Sequence, residues 1–272
     1  MRWKWIFRTK MPELPEVETV VRTLRPMIVG RRILSAEFGK LRVLRGLPAD
    51  TAEALAGQRI KSIERHGKFI AIKLERGYLV VHLGMTGKLL VDAERSKWTH
   101  AVFTLDRGVM HYDDPRQFGR IEFGTELPAR VAALGPEPLE VTLPEFAARL
   151  KQRRSSIKAV LLNQAVVRGV GNIYADEALF RAGIHPKRIA ATLRKDRVEK
   201  LYHAMQEVLQ EAIDQRGSSV ANYVDAEGRK GSFQSLHRVY RRTDKACVIC
   251  GAKIRRIELA QRGTHFCPKC QK

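Results

Sequence analysis

The chain has four cysteines in 272 residues and no internal repeat. No apolar run approaches the roughly 20 residues a spanning helix needs, and no long basic amphipathic helix is present to lie on a bilayer, so a membrane partner is set aside. The first ten residues, MRWKWIFRTK, carry charge at one end and aromatics in the middle. Their apolar stretch is too short and too broken for a secretory signal. A cytoplasmic protein is therefore expected, where thiols stay reduced and the cysteines are metal ligands or free rather than disulfides. Acidic residues are also scarce: 29 Asp and Glu face 50 Lys and Arg, leaving a formal net charge of +21. That imbalance points to a polyanion, with nucleic acid first because phosphate contacts reward spread-out Lys and Arg through counterion release.

What is present reads as a folded protein of more than one part. An apolar fraction of 44% is ordinary for a globular chain, and the length suits two modest cores joined by a hinge, with room for a metal-stapled tail. After the basic leader, Met11-Pro12-Glu13-Leu14-Pro15-Glu16 gives way to helical spacing at Val17, Val20, Val21, Leu24 and Ile28, with Gly30 as the stop. Glu16 and Glu18 fall in the first turn, where carboxylates suit the helix dipole. From Ile33 to about Gly124 the pattern becomes short strands rich in branched and aromatic residues, which predicts an antiparallel sandwich or barrel. Leu134-Gly135-Pro136-Glu137-Pro138 is a break, and a domain boundary is expected within residues 125–142. The chain to Gln215 then reads helical, with Leu201, Met205, Val208, Leu209 and Ala212 in one stripe, followed by a loop rich in Gly, Ser and charge.

Five short motifs carry candidate chemistry. Cys247-Val248-Ile249-Cys250 and Cys267-Pro268-Lys269-Cys270 make two C-x2-C knuckles across a 16-residue spacer. Two such knuckles complete the tetrahedron of one structural Zn2+, with no ligand position left open for catalysis. The spacer, with Arg255, Arg256 and Arg262, is long enough for a hairpin that presents cations. Arg168-Gly169-Val170-Gly171-Asn172 puts two glycines before a helical run, where backbone amides can approach an anion and Asn172 can cap the helix or donate to phosphate. The bland reading of that motif is a tight helix-helix turn. His66-Gly67-Lys68 looks like a hairpin turn, its lysine either a solvated edge charge or a phosphate contact. Finally, Asp113-Asp114-Pro115-Arg116-Gln117-Phe118 and Gly84-Met85-Thr86-Gly87 either pack Met85 and Phe118 ordinarily or expose wedges that fill the gap left by a flipped nucleotide.

The start MPELPEVE, the segment GVGNIYADEALF and the two knuckles, in this order, closely resemble bacterial formamidopyrimidine-DNA glycosylases from Met11 to Lys272. The resemblance implies an α+β architecture: a β-sandwich headed by the N-terminal helix, a helical helix-two-turn-helix domain, and a zinc finger. On the present numbering these are 12–130, 142–236 and 237–272, with 1–11 an extension outside the mature protein. It implies removal of 8-oxoguanine and formamidopyrimidines from double-stranded DNA, then strand cleavage by β,δ-elimination, by a monomer working at the nucleoid. Pro12 would be the amine nucleophile, Glu13 the acid/base, Glu16 a supporting carboxylate, and Lys68, Asn172 and Arg262 phosphate-binding residues. Met85, Arg116 and Phe118 would fill the gap and touch the orphaned base. His100, Arg120 and Lys158 would be further DNA contacts, and residues 217–237 a loop closing over the extruded purine. One departure stands out: Met11 is internal, so as written the Pro12 nitrogen is a tertiary amide with no lone pair to offer. Two other readings are an endonuclease VIII type enzyme for oxidised pyrimidines, whose members typically begin PEGPE, and a non-catalytic binder of damaged DNA if Pro12 stays acylated. A general nucleic-acid binder is a weaker third.

Overall fold

The computed structural model describes residues 11–39, 44, 47–220 and 223–272. The basic leader at residues 1–10 lies outside them.

Helix α1 spans Leu14–Ile28, and its expected apolar face is the one it buries: Val17, Val20, Val21, Leu24 and Ile28 are at most 1% exposed. The Glu16 carboxylate reaches back to the Glu13 N–H at 2.8 Å, one half of a capping box. The helix ends against Gly30, whose φ of +84° reverses the chain.

The strand-rich stretch forms β1 (Ile33–Phe38), β2 (Ile60–His66), β3 (Phe69–Leu74), β4 (Tyr78–His82), β5 (Lys88–Val91), β6 (Thr99–Leu105), β7 (Val109–Asp113) and β8 (Arg120–Gly124), with a short helix α2 (Thr51–Leu55) after β1. These make two separate antiparallel sheets, ordered β1-β6-β7-β5 and β2-β3-β4-β8. Their inner faces share one core: Ile63, Ile72 and Val81 from one sheet meet Phe103, Met110 and Tyr112 from the other, with the α1 stripe alongside. A sandwich, not a barrel, is therefore the outcome, because strands with one apolar face must bury it and the two sheets do so against each other.

The helical half comprises α3 (Ala129–Ala132), α4 (Leu143–Lys151), α5 (Ile157–Leu162), α6 (Asn172–Arg181) and α7 (Lys195–Asp214). The α7 stripe Leu201, Met205, Val208, Leu209 and Ala212 is buried as its spacing predicts, in a core that also takes Leu14 from α1. Between the halves, Arg65 of β2 donates to both oxygens of Glu137, at 2.9 and 2.7 Å, and to Glu18 of α1 at 2.9 Å. Arg168 also donates to Glu137, at 3.1 Å. The linker is thus tied to α1, to the sandwich and to the turn before α6. Hairpin β9 (Arg255–Leu259) and β10 (Arg262–Phe266) closes the chain between the two knuckles.

Candidate active site

Pro12 is buried and lines a small pocket with Met11, Glu16, Met85, Ile173, Ser218 and Tyr223. Behind it lies a knot of buried carboxylates. Glu13 turns its side chain to the start of α6, where its oxygens accept the N–H groups of Ile173 at 3.0 Å and Tyr174 at 3.3 Å. The positive end of a helix favours a carboxylate there. Gly171 makes the approach possible, since a Cβ at that position would sit 2.2 Å from the Glu13 carboxyl carbon. Gly169, at φ +86°, turns its carbonyl to accept the Leu14 N–H at 3.0 Å. The glycines therefore do bring backbone amides to an anion, and that anion is the protein's own Glu13.

Glu16 is held by three donors in turn. Besides the Glu13 N–H it accepts the Tyr174 hydroxyl at 2.5 Å and the Ser218 N–H at 2.7 Å. Burial, helped by the Glu16 charge, pushes the Tyr174 phenol well above its ordinary range, so it stays protonated and donates. The loop after α7 is docked on the same helix: Tyr223 donates to the Glu16 carbonyl at 3.1 Å and the Ala226 N–H to Thr23 at 3.3 Å. Residues 221 and 222 of that loop lie outside the described residues.

Lys68 follows Gly67 in the β2–β3 turn, as expected, but it is not a solvated edge charge. It is half-buried, and its amine sits below the usual lysine range. Burial is the main cause, opposed by the charges of Glu13 and Glu16 and reinforced by Arg262. Those influences put Lys68 in the field of the carboxylate knot and of the finger's arginine together.

Two expected DNA contacts are placed differently. Lys158 is fully buried, 2.5 Å from Asp176 and 3.5 Å from the Gly263 carbonyl. A buried ammonium needs such partners, and here they brace the interior beneath the finger hairpin. Asn172 does not cap α6, whose N-cap is Gly171; its amide donates to the same Gly263 carbonyl at 3.0 Å. Asp176 completes the brace by accepting the His265 N–H at 2.9 Å and its ring Nδ1–H at 3.1 Å. Together these bonds clamp the start of β10, and hence exposed Arg262, to α6. At the far end of the hairpin the four cysteine sulfurs lie within 4.8 Å of one another. Zn–S bonds near 2.3 Å in a tetrahedron place sulfurs about 3.8 Å apart, so the four thiolates fit one structural zinc.

The wedge residues come together. Phe118 is 49% exposed, and the Arg116 guanidinium lies 4.9 Å from its ring centroid and 4.0 Å from the Met85 sulfur. Asp114 organises them: its carboxylate accepts from Thr86, from Tyr112 at 3.3 Å, and from the N–H groups of Arg116 at 3.3 Å and Gly119 at 2.8 Å. Gln117, at φ +55°, completes the turn that turns Phe118 outward. His100, expected among the DNA contacts, lies beneath the wedge loop. It is 3% exposed and donates Nε2–H to the Asp114 carbonyl at 2.8 Å, holding the wedge loop from within. Arg120 is exposed on β8, opposite His82, whose imidazole burial and the cations Lys68, Arg130 and Arg120 drive down to about 4. Sequence reasoning misses Asp114, Asp176 and Tyr174. The Asp113-Asp114-Pro115 turn signal touches the first of them, and the segment GVGNIYADEALF contains the other two without giving either a role. A depression between α6 and α7, lined by Arg181, His203 and Glu207, lies apart from this site and mixes charges of both signs.

Comparison with known proteins covers the same ground. Residues 11–121 match the formamidopyrimidine-DNA glycosylase N-terminal domain, 134–223 the H2TH domain of that enzyme, and 244–272 a zinc finger found in FPG and IleRS. A formamidopyrimidine-DNA glycosylase of Solibacter usitatus is 59% identical over 264 residues, covering 96% of this chain and all of the relative. One from Carboxydothermus hydrogenoformans is 44% identical over 269 residues, with the same coverage. The crystal structure of the MutM (Fpg) protein of Thermus thermophilus superposes with a TM-score of 0.87 at 40% identity, covering 96% of this chain and 98% of that one. Lactococcus lactis Fpg in complex with DNA containing an abasic site gives 0.87 at 37%, with 96% and 99% covered.

Proposed function

The chain belongs to the formamidopyrimidine-DNA glycosylase family, and on that premise we propose how its own residues divide the work. It is a base-excision repair enzyme for oxidised purines in duplex DNA, a glycosylase that also cleaves the abasic site as a lyase. An endonuclease VIII type activity is not favoured, since the relatives are formamidopyrimidine enzymes.

Pro12, with a free secondary amine, attacks C1′ of the lesion nucleotide; the bond to the damaged base breaks and an iminium links sugar to protein. Loss of a C2′ proton then expels the 3′ phosphate, and a second elimination expels the 5′ phosphate. Glu13 moves the proton at the sugar ring oxygen and faces the developing cation. Glu16 is a positioning residue, because it holds the Glu13 backbone, Tyr174 and Ser218 at once. Lys68 and Arg262 bind the lesion-strand phosphate, Met85, Arg116 and Phe118 fill the vacated stack, and Arg120 adds a phosphate contact. His100, Lys158 and Asn172 act one step back by fixing the loops that carry these groups. The loop from residue 217 to 237 closes over the extruded base. The single observation that carries the assignment is a proline seated over two buried carboxylates whose oxygens are spent on the backbone of α6 and of that loop.

The chemistry requires Pro12 to be N-terminal in the active form, since acylation by Met11 removes the lone pair. The family match starts at residue 11, in keeping with a mature protein that begins at Pro12. Among the described residues no helix is long and apolar enough to cross a membrane. The duplex-DNA substrate is the reason to place the enzyme at the nucleoid in the cytoplasm, and we take it to act as a monomer.

Product analysis tests the reading. With the Pro12-initiated protein, an 8-oxoguanine duplex should yield a one-nucleotide gap flanked by phosphates, and Glu13→Gln should lower excision by about 10²- to 10⁴-fold while DNA binding persists. Excision of oxidised pyrimidines with no action on 8-oxoguanine would overturn the substrate assignment, and normal turnover by the variant would overturn the role of Glu13.

A further inference from the structure

Of the phenylalanine, tyrosine and tryptophan side chains among the described residues only two are exposed, Phe118 and Trp98, the latter at 41%. Single exposed apolar residues are common and ordinarily mean little. Trp98 differs in how firmly its backbone is held. Its N–H donates to the Ser96 hydroxyl at 3.1 Å, and that hydroxyl donates to Asp113 at 2.7 Å. Thr99 donates to the other Asp113 oxygen at 2.6 Å, and the Thr99 N–H to the Ser96 carbonyl at 3.1 Å. The Trp98 carbonyl accepts the Asp114 N–H at 3.0 Å. Asp113 thus braces the loop carrying Trp98 while the next residue, Asp114, braces the wedge loop carrying Phe118. The two exposed aromatics stand on neighbouring loops fixed by adjacent carboxylates.

A lysine lies on the ring, in a loop of mixed charge that also holds Asp92 and Glu94. The Lys97 ammonium lies 5.1 Å from the indole centroid, and both Lys97 and Arg95 are exposed, Arg95 with Glu37 at 3.7 Å. A large aromatic fixed by a tight turn, with a lysine on it and beside a wedge, combines a stacking platform with a phosphate partner, and its ordering cost is already met by the turn.

We propose that Trp98 and Lys97 form a second DNA contact outside the wedge, with the indole against a sugar or base of the undamaged strand and Lys97 on its phosphate. This rests on the reading of the chain as an enzyme of damaged DNA. The undamaged strand is the occupant because the loop adjoins the residues assigned to the orphaned base, whereas Lys68 and Arg262 hold the lesion strand. The surface lengthens the footprint and lets duplex context on the wedge side influence affinity.

The test measures affinity of the full chain for a duplex with an uncleavable abasic analogue, using wild type, Trp98→Ala, Trp98→Phe and Lys97→Ala. Trp98→Ala should bind roughly tenfold more weakly, Trp98→Phe within about threefold of wild type, and Lys97→Ala with a shallower salt dependence. Shortening the undamaged strand stepwise from either end should erase the difference between wild type and Trp98→Ala, while shortening the damaged strand should not. The emission difference between wild type and Trp98→Phe isolates this tryptophan from Trp3 and Trp5, and DNA should quench it. Equal affinity of wild type and Trp98→Ala, an unquenched difference spectrum, or dependence on the damaged strand instead would each overturn the proposal. If wild type itself showed no preference for the abasic analogue over intact duplex, the reading beneath it would fall, which is a separate result.

Discussion

Asp114 in the sandwich and Asp176 in the helical half each hold a loop assigned above to DNA binding, yet they do so with different partners. Asp114 accepts from two hydroxyls and two backbone N–H groups, all within 30 residues of itself and all neutral. Asp176 accepts from a buried ammonium 18 residues before it and from the backbone and ring of His265, 89 residues after it. The first knot fixes the conformation of a turn. The second joins two parts of the chain that no local preference would bring together, and it does so with charge. A buried ion pair gains little over apolar packing but is costly to break, because the abandoned partner stays buried.

Substitutions at the two sites test that contrast, and the largest effect belongs to the charged one. Asp176→Ala strands the Lys158 ammonium and should cost about 3–5 kcal/mol in stability by denaturant unfolding. Adding Lys158→Met to Asp176→Asn should recover most of the loss, and no recovery would mean that charge is not the issue. Asp114→Ala should cost less, about 1–3 kcal/mol, since each freed donor is neutral. Its clearer signature should be weaker discrimination between lesion and intact duplex, because Arg116 and Phe118 lose their support. The double variant should show additive costs within about 0.5 kcal/mol; a larger deviation would mean that the two halves are coupled.

A smaller effect concerns Lys68, which joins the halves through the fields of Glu13, Glu16 and Arg262. Its amine titrates below the ordinary lysine value in the folded chain. Phosphate binding needs the cation, so affinity should fall as pH climbs towards that lowered value, earlier than for an exposed lysine. Lys68→Arg should move the limb upward. Stability has the opposite sign: between the folded and unfolded pKa values the unfolded chain holds the proton and the folded chain does not, so this group's contribution rises with pH. A binding curve flat across the alkaline range would remove Lys68 from the phosphate site.

The same contrast explains what could be read from the sequence. The α1 and α7 stripes, the turn before Lys68 and the two cysteine knuckles depend on spacing within a few residues, and each forms where its pattern predicts. Lys158, His100 and Asn172 carry no local sign that they face inward. Lys158 is buried because Asp176 and Gly263 arrive from elsewhere, and His100 because the Asp114 turn folds over it. Asn172 yields the cap to Gly171 because Glu13, about 160 residues earlier, already supplies the acceptor. The sequence resemblance named Pro12, Glu13 and Glu16, while the reason they work together lies in α6 and the loop after α7.

The central claim is that the Pro12 amine, freed of Met11, is the nucleophile. It is tested most directly by intact mass of the protein expressed from its natural promoter, paired with borohydride trapping on an 8-oxoguanine duplex. The account predicts a mass beginning at Pro12 and a covalent adduct that maps to Pro12. A protein that retains residues 1–11 and still forms the adduct, or a Pro12-initiated protein that forms none, would contradict it.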